Sequence, residues 1–484
     1  MLRLTLTLSG GASLGAYEAG AMAALLTATR AAAERDADAI VIDGIGGSSA
    51  GALVGLLSAL CLLHGLDPVR ALHEGWVERV SFDELMTGGG REPLSLDELG
   101  PIIQGVVNDC RSDGPTQRLP VLLHVSLTTL SGLRYHIDRA AAARPVVATT
   151  FADWAQFTLS PHDDIDELIA PDGPLLTAIL ASASHPGAFA PRLVDRERDR
   201  SCYERNGIQD LPESGKLWYG DGSIVQSQPI GRLLHAVKRR ELADDDCACH
   251  VLIDPRSHGS GRKKRWTGGG ERPSWSDSLA RTLAVLPVQA VYEDVRRVEK
   301  MNQRIAVIDR VVRALEPHLG AEADQALDSL RDELGDGAVD GETALDGVLR
   351  ALAGLRHHRR IEVEVVSPLI LSDADDEPAV LAGDMLGDFG GFLSRELRHS
   401  DFCLGYDSMD RWLAERVGEL LVPSVGEAVL QAVADERIDG WKDVNAGDAG
   451  LRDLSMRARF ELVRLAKRLV RVLMSDAAAG VGAR

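Results

Sequence analysis

AIVIDGIGGSSAGALVGLLSALCLL, residues 39–63, decides the fold. Ala39 to Ile45 is brief, apolar and β-branched, which suits a strand buried on both faces. Ala50 to Leu63 is apolar and too long for a strand, so it reads as a helix. Between them lies a bend made only of glycine and serine. Working backwards, Leu2 to Leu8 is another apolar run, SGGASLGAYEAG is another small-residue turn, and Ala16 to about Arg35 is rich in the best helix former. Strand, turn and helix thus occur twice in succession. Helical crossovers of this kind join parallel strands, so the chain is predicted to be α/β with a mainly parallel sheet.

The bend after the second strand carries Gly47, Ser48, Ser49, Ala50 and Gly51 in a GxSxG frame. A nucleophile on a sharp strand-to-helix turn needs small neighbours that permit strained backbone angles. Its hydroxyl then projects at a helix N-terminus, where the dipole favours negative charge. Ser49 meets both conditions. In a parallel sheet the turn after the first strand opens on the same edge, so the amides of Gly10, Gly11 and Ala12 are candidates for an oxyanion hole. The same loop also reads as a defective GxGxxG phosphate loop, with Ala12 replacing the middle glycine; that reading leaves the second turn and its serine unexplained. A base is offered by YGDGSIVQSQPI, where Asp221 precedes Gly222 after a short apolar run. Aspartate in such a turn is commonly structural. Held within hydrogen-bond reach of Ser49 and shielded from water, it can instead accept the hydroxyl proton directly. A histidine triad is the competing arrangement, with His250 and His258 its candidates in the chain order serine, acid, histidine.

With 53 Lys plus Arg against 73 Asp plus Glu, the formal charge of −20 repels a nucleic-acid backbone, so no nucleic-acid partner is expected. Neutral or zwitterionic lipid is not excluded, because its capture depends on a local apolar patch. The opening MLRLTLTLSGG lacks a basic segment, an apolar core and a cleavage site, so a cytoplasmic protein is expected, with peripheral membrane contact only. Gly46 to Leu63 carries no charge, yet its small residues suit a buried helix better than a membrane span. Cys247 and Cys249 beside His250 have no second ligand cluster at zinc spacing, and no metal or cofactor is expected.

Val121 to Leu130, Leu217 to Tyr219 and Cys249 to Ile253 are further strand candidates. Residues 1–255 are read as the catalytic domain and 256–276, with its glycines and basic run, as a surface loop. Residues 277–484 are read as a mainly helical extension, with a strand near 361–371 that can rejoin the first sheet.

Taken together these residues resemble the patatin-like phospholipases. That family has a Gly-rich loop, here Leu8 to Gly20, a GxSxG serine, here Gly47 to Gly51, and a later DG turn, here Asp221 and Gly222. A fourth stretch, ILASASHPGAFAPR from Ile179 to Arg192, is similar to the family's segment between serine and aspartate. The resemblance implies a three-layer α/β/α fold, a Ser49–Asp221 dyad and cofactor-free cleavage of lipid acyl esters. Ala12 stands where the family has its third loop glycine and Leu14 where it has a basic residue, which leaves a catalytically impaired lipid- or protein-binding module as the alternative. The segment from Leu381 to Leu413 is similar to the C-terminal portion of bacterial patatin-related proteins; Asp401 and Asp407 within it are read as helix caps or surface groups. His185 and Phe189 are candidates to border an acyl channel, and ordinary packing is the favoured alternative for both.

Overall fold

The structure is a computed structural model that describes residues 1–86, 92–112, 114–137, 146–208, 211–237, 247–256, 296, 298–333, 343–355, 362–371, 381–384, 388–438 and 440, with isolated positions between 456 and 468. His258 and nearly all of the 256–276 segment lie outside these residues. Eight strands form one sheet among the described residues: β1 Leu2–Leu8, β2 Ile40–Gly47, β3 Val121–Ile137, β4 Val146–Leu159, β5 Arg192–Asp195, β6 Lys216–Gly220, β7 Cys247–Ile253 and β8 Glu362–Val366. Their order is β5-β6-β3-β2-β1-β7-β8, and β4 pairs with β3 off this path. The run from β3 to β8 is parallel, whereas β4, β6 and β5 join by antiparallel pairing.

Alternation along β2 sets the layers. Ile45 faces α2 (Ala50–His64) at Gly55, and on the opposite face Gly44 and Gly46 receive Leu233 of α4 (Ile230–Val237), with α1 as Gly15–Ala33 and α3 as Pro174–Ser182. Helices thus cover both faces of a mostly parallel sheet, a three-layer α/β/α fold with a largely helical C-terminal region. β1 and β2 are buried on both faces although β1 alternates leucine with Arg3, Thr5 and Thr7 and β2 carries Asp43; Arg3 and Asp43 pair across the two strands at 2.8 Å.

α1 is apolar nearly all round and is buried from Gly15 to Thr29, so it needs cover on the side away from the sheet. That cover comes from the extension, as α5 (Arg395–Leu420) and α6 (Pro423–Asp435). The crossing of α1 and α5 is close enough that a Cβ on Gly20 would lie 1.8 Å from the Phe402 carbonyl oxygen, and one on Gly405 would lie 1.9 Å from that of Tyr17. Two backbones meet there with no side chain between them. The expectation that Asp401 and Asp407 are caps or surface groups is corrected, since both are buried on α5. Asp401 accepts the Ala382 and Gly383 amides at 2.6 and 2.9 Å, and Asp407 accepts Arg437 at 2.8 Å. Burial pushes the Asp401 carboxyl up to about 7, against the pull of its two amide donors.

Of the predicted strands, β1 has the expected bounds, β2 is shifted to Ile40–Gly47, β3, β6 and β7 are longer, and β8 is shorter, a 3-10 turn over Pro368–Leu371 following it. β4 and β5 were not predicted. No helix among the described residues is long and apolar enough to cross a membrane.

Candidate active site

Ser49 sits between β2 and α2 with φ 53° and ψ −124°, the left-handed region that a non-glycine residue rarely occupies. Such backbone costs of the order of 1–3 kcal/mol and persists only where neighbours hold it. They do so here: the Ser49 amide donates to Ser182 Oγ at 2.9 Å, and Ser182 Oγ donates to the Ser126 carbonyl at 2.7 Å. The hydroxyl is thereby aimed at Asp221, with Oγ to Oδ2 at 2.7 Å.

Asp221 follows β6 and is fully buried. Its other oxygen, Oδ1, accepts the Ser223 amide at 2.8 Å and the Ser223 hydroxyl at 2.6 Å, an Asx-turn closed by Gly222. The structural and the functional readings of this aspartate therefore coexist, because the turn occupies one oxygen and leaves the second for Ser49. Main-chain bonds fix the residue further, from its amide to the Ser184 carbonyl at 3.0 Å and from Thr128 Oγ1 to its own carbonyl at 2.7 Å. Burial raises the carboxyl above the usual range, opposed by the hydrogen bonds from Ser223 and Ser49. A carboxylate so placed is more basic than one in water.

The turn after β1 lies against this elbow. A Cβ on Gly10 would fall 2.8 Å from the Ser48 carbonyl oxygen and 2.9 Å from the Ser49 Cβ, so only glycine lets the two turns touch. The expectation of three free amides is corrected at Gly10, whose N–H donates to Ser48 Oγ at 3.2 Å while that hydroxyl donates to the Ser227 carbonyl at 2.7 Å. Among the described residues the Gly11 and Ala12 amides make no hydrogen bond, and neither does that of Ala50, the first residue of α2. The sequence analysis does not single out the Ala50 amide, although a residue directly after a GxSxG serine is where such a donor is looked for. Ala12 has φ 45°, so it adopts the backbone that glycine favours. Leu14 is fully buried beneath Gly11 and takes no part at the surface of the site. Gly47 ends β2, and Gly51 lies in the first turn of α2 against the end of β1.

His250 is buried in the middle of β7, opposite Thr5 and three residues short of the strand's end. Among the described residues its ring has no hydrogen-bond partner, and burial lowers its pKa to about 3. Among the described residues no histidine bonds to Ser49 or Asp221. His185 is exposed beside the site, with its ring 5.8 Å from that of Phe389, and Phe189 is buried with its ring 6.3 Å from the same phenyl. A groove of about 670 Å³ lies beyond Phe189, between Leu94, Leu96 and Trp218, and includes neither Ser49 nor Asp221.

Fold and site define a class: an α/β/α protein with a serine on a strand-to-helix elbow, hydrogen-bonded to a buried aspartate at the same sheet edge. Residues 6–234 match the family model described as patatin-like phospholipase, and this part of the chain is a patatin-like phospholipase domain. That membership associates it in general terms with the hydrolysis of lipids. The crystal structure of VipD from Legionella pneumophila is similar over 92% of this chain and 93% of that chain, at 12% identity and a TM-score of 0.21, too slight a likeness to support an argument. No curated protein matches the chain.

Proposed function

We propose that the chain is a serine acyl-ester hydrolase of lipids working through a Ser49–Asp221 dyad and an acyl-enzyme. The observation that carries this reading is the 2.7 Å hydrogen bond from Ser49 Oγ to a fully buried carboxylate. As Oγ attacks the acyl carbonyl, its proton passes to Asp221 Oδ2. The oxyanion accepts hydrogen bonds from the amides of Gly11, Ala12 and Ala50, each donor contributing roughly a hundredfold to a thousandfold in rate. Asp221 returns the proton to the departing alcohol oxygen, so the ester bond breaks and Ser49 carries the acyl group. Water, deprotonated by the same carboxylate, then releases the fatty acid and restores Ser49. No cofactor takes part in these steps.

Ser49→Ala and Asp221→Asn are each expected to lower turnover of p-nitrophenyl acyl esters by about a thousandfold or more while circular dichroism stays unchanged. Undiminished turnover in either variant overturns the dyad. Because the carboxyl titrates above its usual range and must be ionised to act, the rate falls as pH drops through that raised value.

Residues 1–255 are assigned as the catalytic domain and 277–484 as its extension, with 256–276 connecting them; support for one body comes from β8 beside β7 and α5 on α1. A cytoplasmic protein in peripheral contact with neutral or zwitterionic lipid is the corresponding setting. It is supported by Leu193, Trp218, Leu130 and Phe151, each 41–52% exposed, which follow one another across β5, β6, β3 and β4 close to Asp221. Trp218→Ser is expected to reduce co-sedimentation with phosphatidylcholine vesicles, and undiminished co-sedimentation rejects this surface.

A further inference from the structure

We infer that Phe389, supplied by the C-terminal extension, forms a wall of the acyl-chain channel and sets which acyl chains reach Ser49. The inference rests on the hydrolase reading above and adds a residue far outside the four motifs. Its first support is the latch between the extension and the turn after β1. The Asp388 carbonyl accepts both the Ser13 amide at 2.9 Å and the Ser13 hydroxyl at 2.6 Å, and the Gly391 amide donates to the same hydroxyl at 2.9 Å. Ser13 directly follows Ala12, so Phe389 is anchored one residue from the proposed oxyanion donors.

A second support comes from the other side of the site. The Phe389 ring meets His185 with centroids 5.8 Å apart and Phe189 at 6.3 Å. His185 follows Ser184, whose carbonyl holds the Asp221 amide, and the imidazole is near enough to act electrostatically on the Asp221 carboxyl. Phe389 is therefore fastened beside the proposed oxyanion loop through Asp388 and in ring contact with His185, the residue that follows the anchor of the Asp221 amide.

The placement is also enforced. Asp388 has φ 73°, a left-handed conformation, and its carboxylate is held by Arg256 Nη2 at 2.6 Å. Phe392 backs the phenyl ring at 5.9 Å and itself rests on Phe82. An acyl group whose carbonyl carbon lies at Ser49 Oγ must send its chain away from the oxyanion amides. On the rim between Ser13 and His185 the apolar surface it meets is this aromatic wall. Phe189 carries that wall on to the groove beyond it.

The test compares kcat/KM for p-nitrophenyl palmitate and butyrate in the full chain, together with Ser49 labelling by long- and short-alkyl fluorophosphonates. Phe389→Ala is expected to raise the long-to-short ratio by about tenfold, and Phe389→Trp to lower it by a similar factor. Ratios cancel the amount of folded protein, and opposite shifts in the two variants cannot come from instability. Equal ratios in the unaltered chain and both variants overturn the inference while leaving the dyad standing. If Ser49 of the unaltered chain reacts with neither esters nor fluorophosphonates, the hydrolase reading falls and this inference with it.

Discussion

The turn after β2 and the turn after β1 meet at Ser49, yet their supports come from different parts of the chain. In the second turn Gly47 closes on Gly51, Gly51 closes on the end of β1, and Ser182 and Asp221 hold the amide and the hydroxyl of Ser49, all within residues 1–234. In the first, Ser9 Oγ reaches Asp254 at 3.0 Å, Gly10 leans on Ser48, and Ser13 is held by Asp388 and Gly391 of the extension. The proposed nucleophile is thus positioned by close packing and by partners within the patatin-like domain, and the proposed oxyanion loop chiefly by partners hundreds of residues away. Local packing resists change steeply, whereas the loop can be loosened in increments.

The steepest response is expected in the second turn. A Cβ on Gly51 would lie 2.6 Å from the Leu8 carbonyl oxygen and 2.9 Å from the carbonyl carbon and Cβ of Leu8, so the backbone at the end of β1 would have to shift. Gly51→Val is expected to destabilise the fold by about 3 kcal/mol or more, seen as a fall in the urea midpoint. An unchanged midpoint would show that β1 and α2 can separate, and the contrast between the turns would disappear.

In the first turn a smaller change in stability and a larger one in rate are expected from Asp388→Asn. Asparagine tolerates the left-handed backbone, so the variant removes the ion pair with Arg256 and leaves the main-chain latch in place. Arg256 is about one-third exposed, so the pair contributes only about 1 kcal/mol. Loosening of the loop is expected to lower kcat by up to about tenfold with KM little changed. Should kcat stay constant while stability drops, the extension supports the fold and not the oxyanion loop.

The same division explains what was legible in the sequence. β1, β2, α1 and α2 announce themselves because each short leucine- or isoleucine-rich strand is followed by a small-residue turn and an apolar helical run, and Ser49 and Asp221 stand in short motifs set by local geometry. β4 gave no such signal because its buried face carries Asp153, which accepts Tyr203 and Tyr219 hydroxyls at 2.6 and 2.5 Å beside Arg196, so apolar alternation is broken by a buried polar cluster. β5 has four residues and lies on the sheet's edge, too short for a period to appear. Asp401 read as a surface group because its partners are amides of another segment, Ala382 and Gly383, which no local pattern reveals. Ser182 lay within a stretch already singled out, but its bond to the Ser49 amide depends on α3 packing beside the elbow. Contacts made within a motif are written in it; contacts that arrive from elsewhere are not.

Ala12→Gly is expected to change least. Alanine at φ 45° carries about 1–2 kcal/mol of left-handed strain, which glycine would relieve. Glycine also enlarges the unfolded ensemble, which offsets about 0.4–1 kcal/mol of that relief, and it loses the methyl's packing against the core. The expected gain in stability is therefore under about 1 kcal/mol. Activity should stay within about twofold, because the proposed oxyanion donors here are backbone amides and alanine already holds the backbone that glycine would adopt. A rise in kcat of tenfold or more would show that the Ala12 methyl obstructs the oxyanion, and would favour an impaired lipid-binding module over an efficient hydrolase. The substitution thus measures whether a family glycine is needed for its conformation, which this chain keeps, or for its empty space, which it does not.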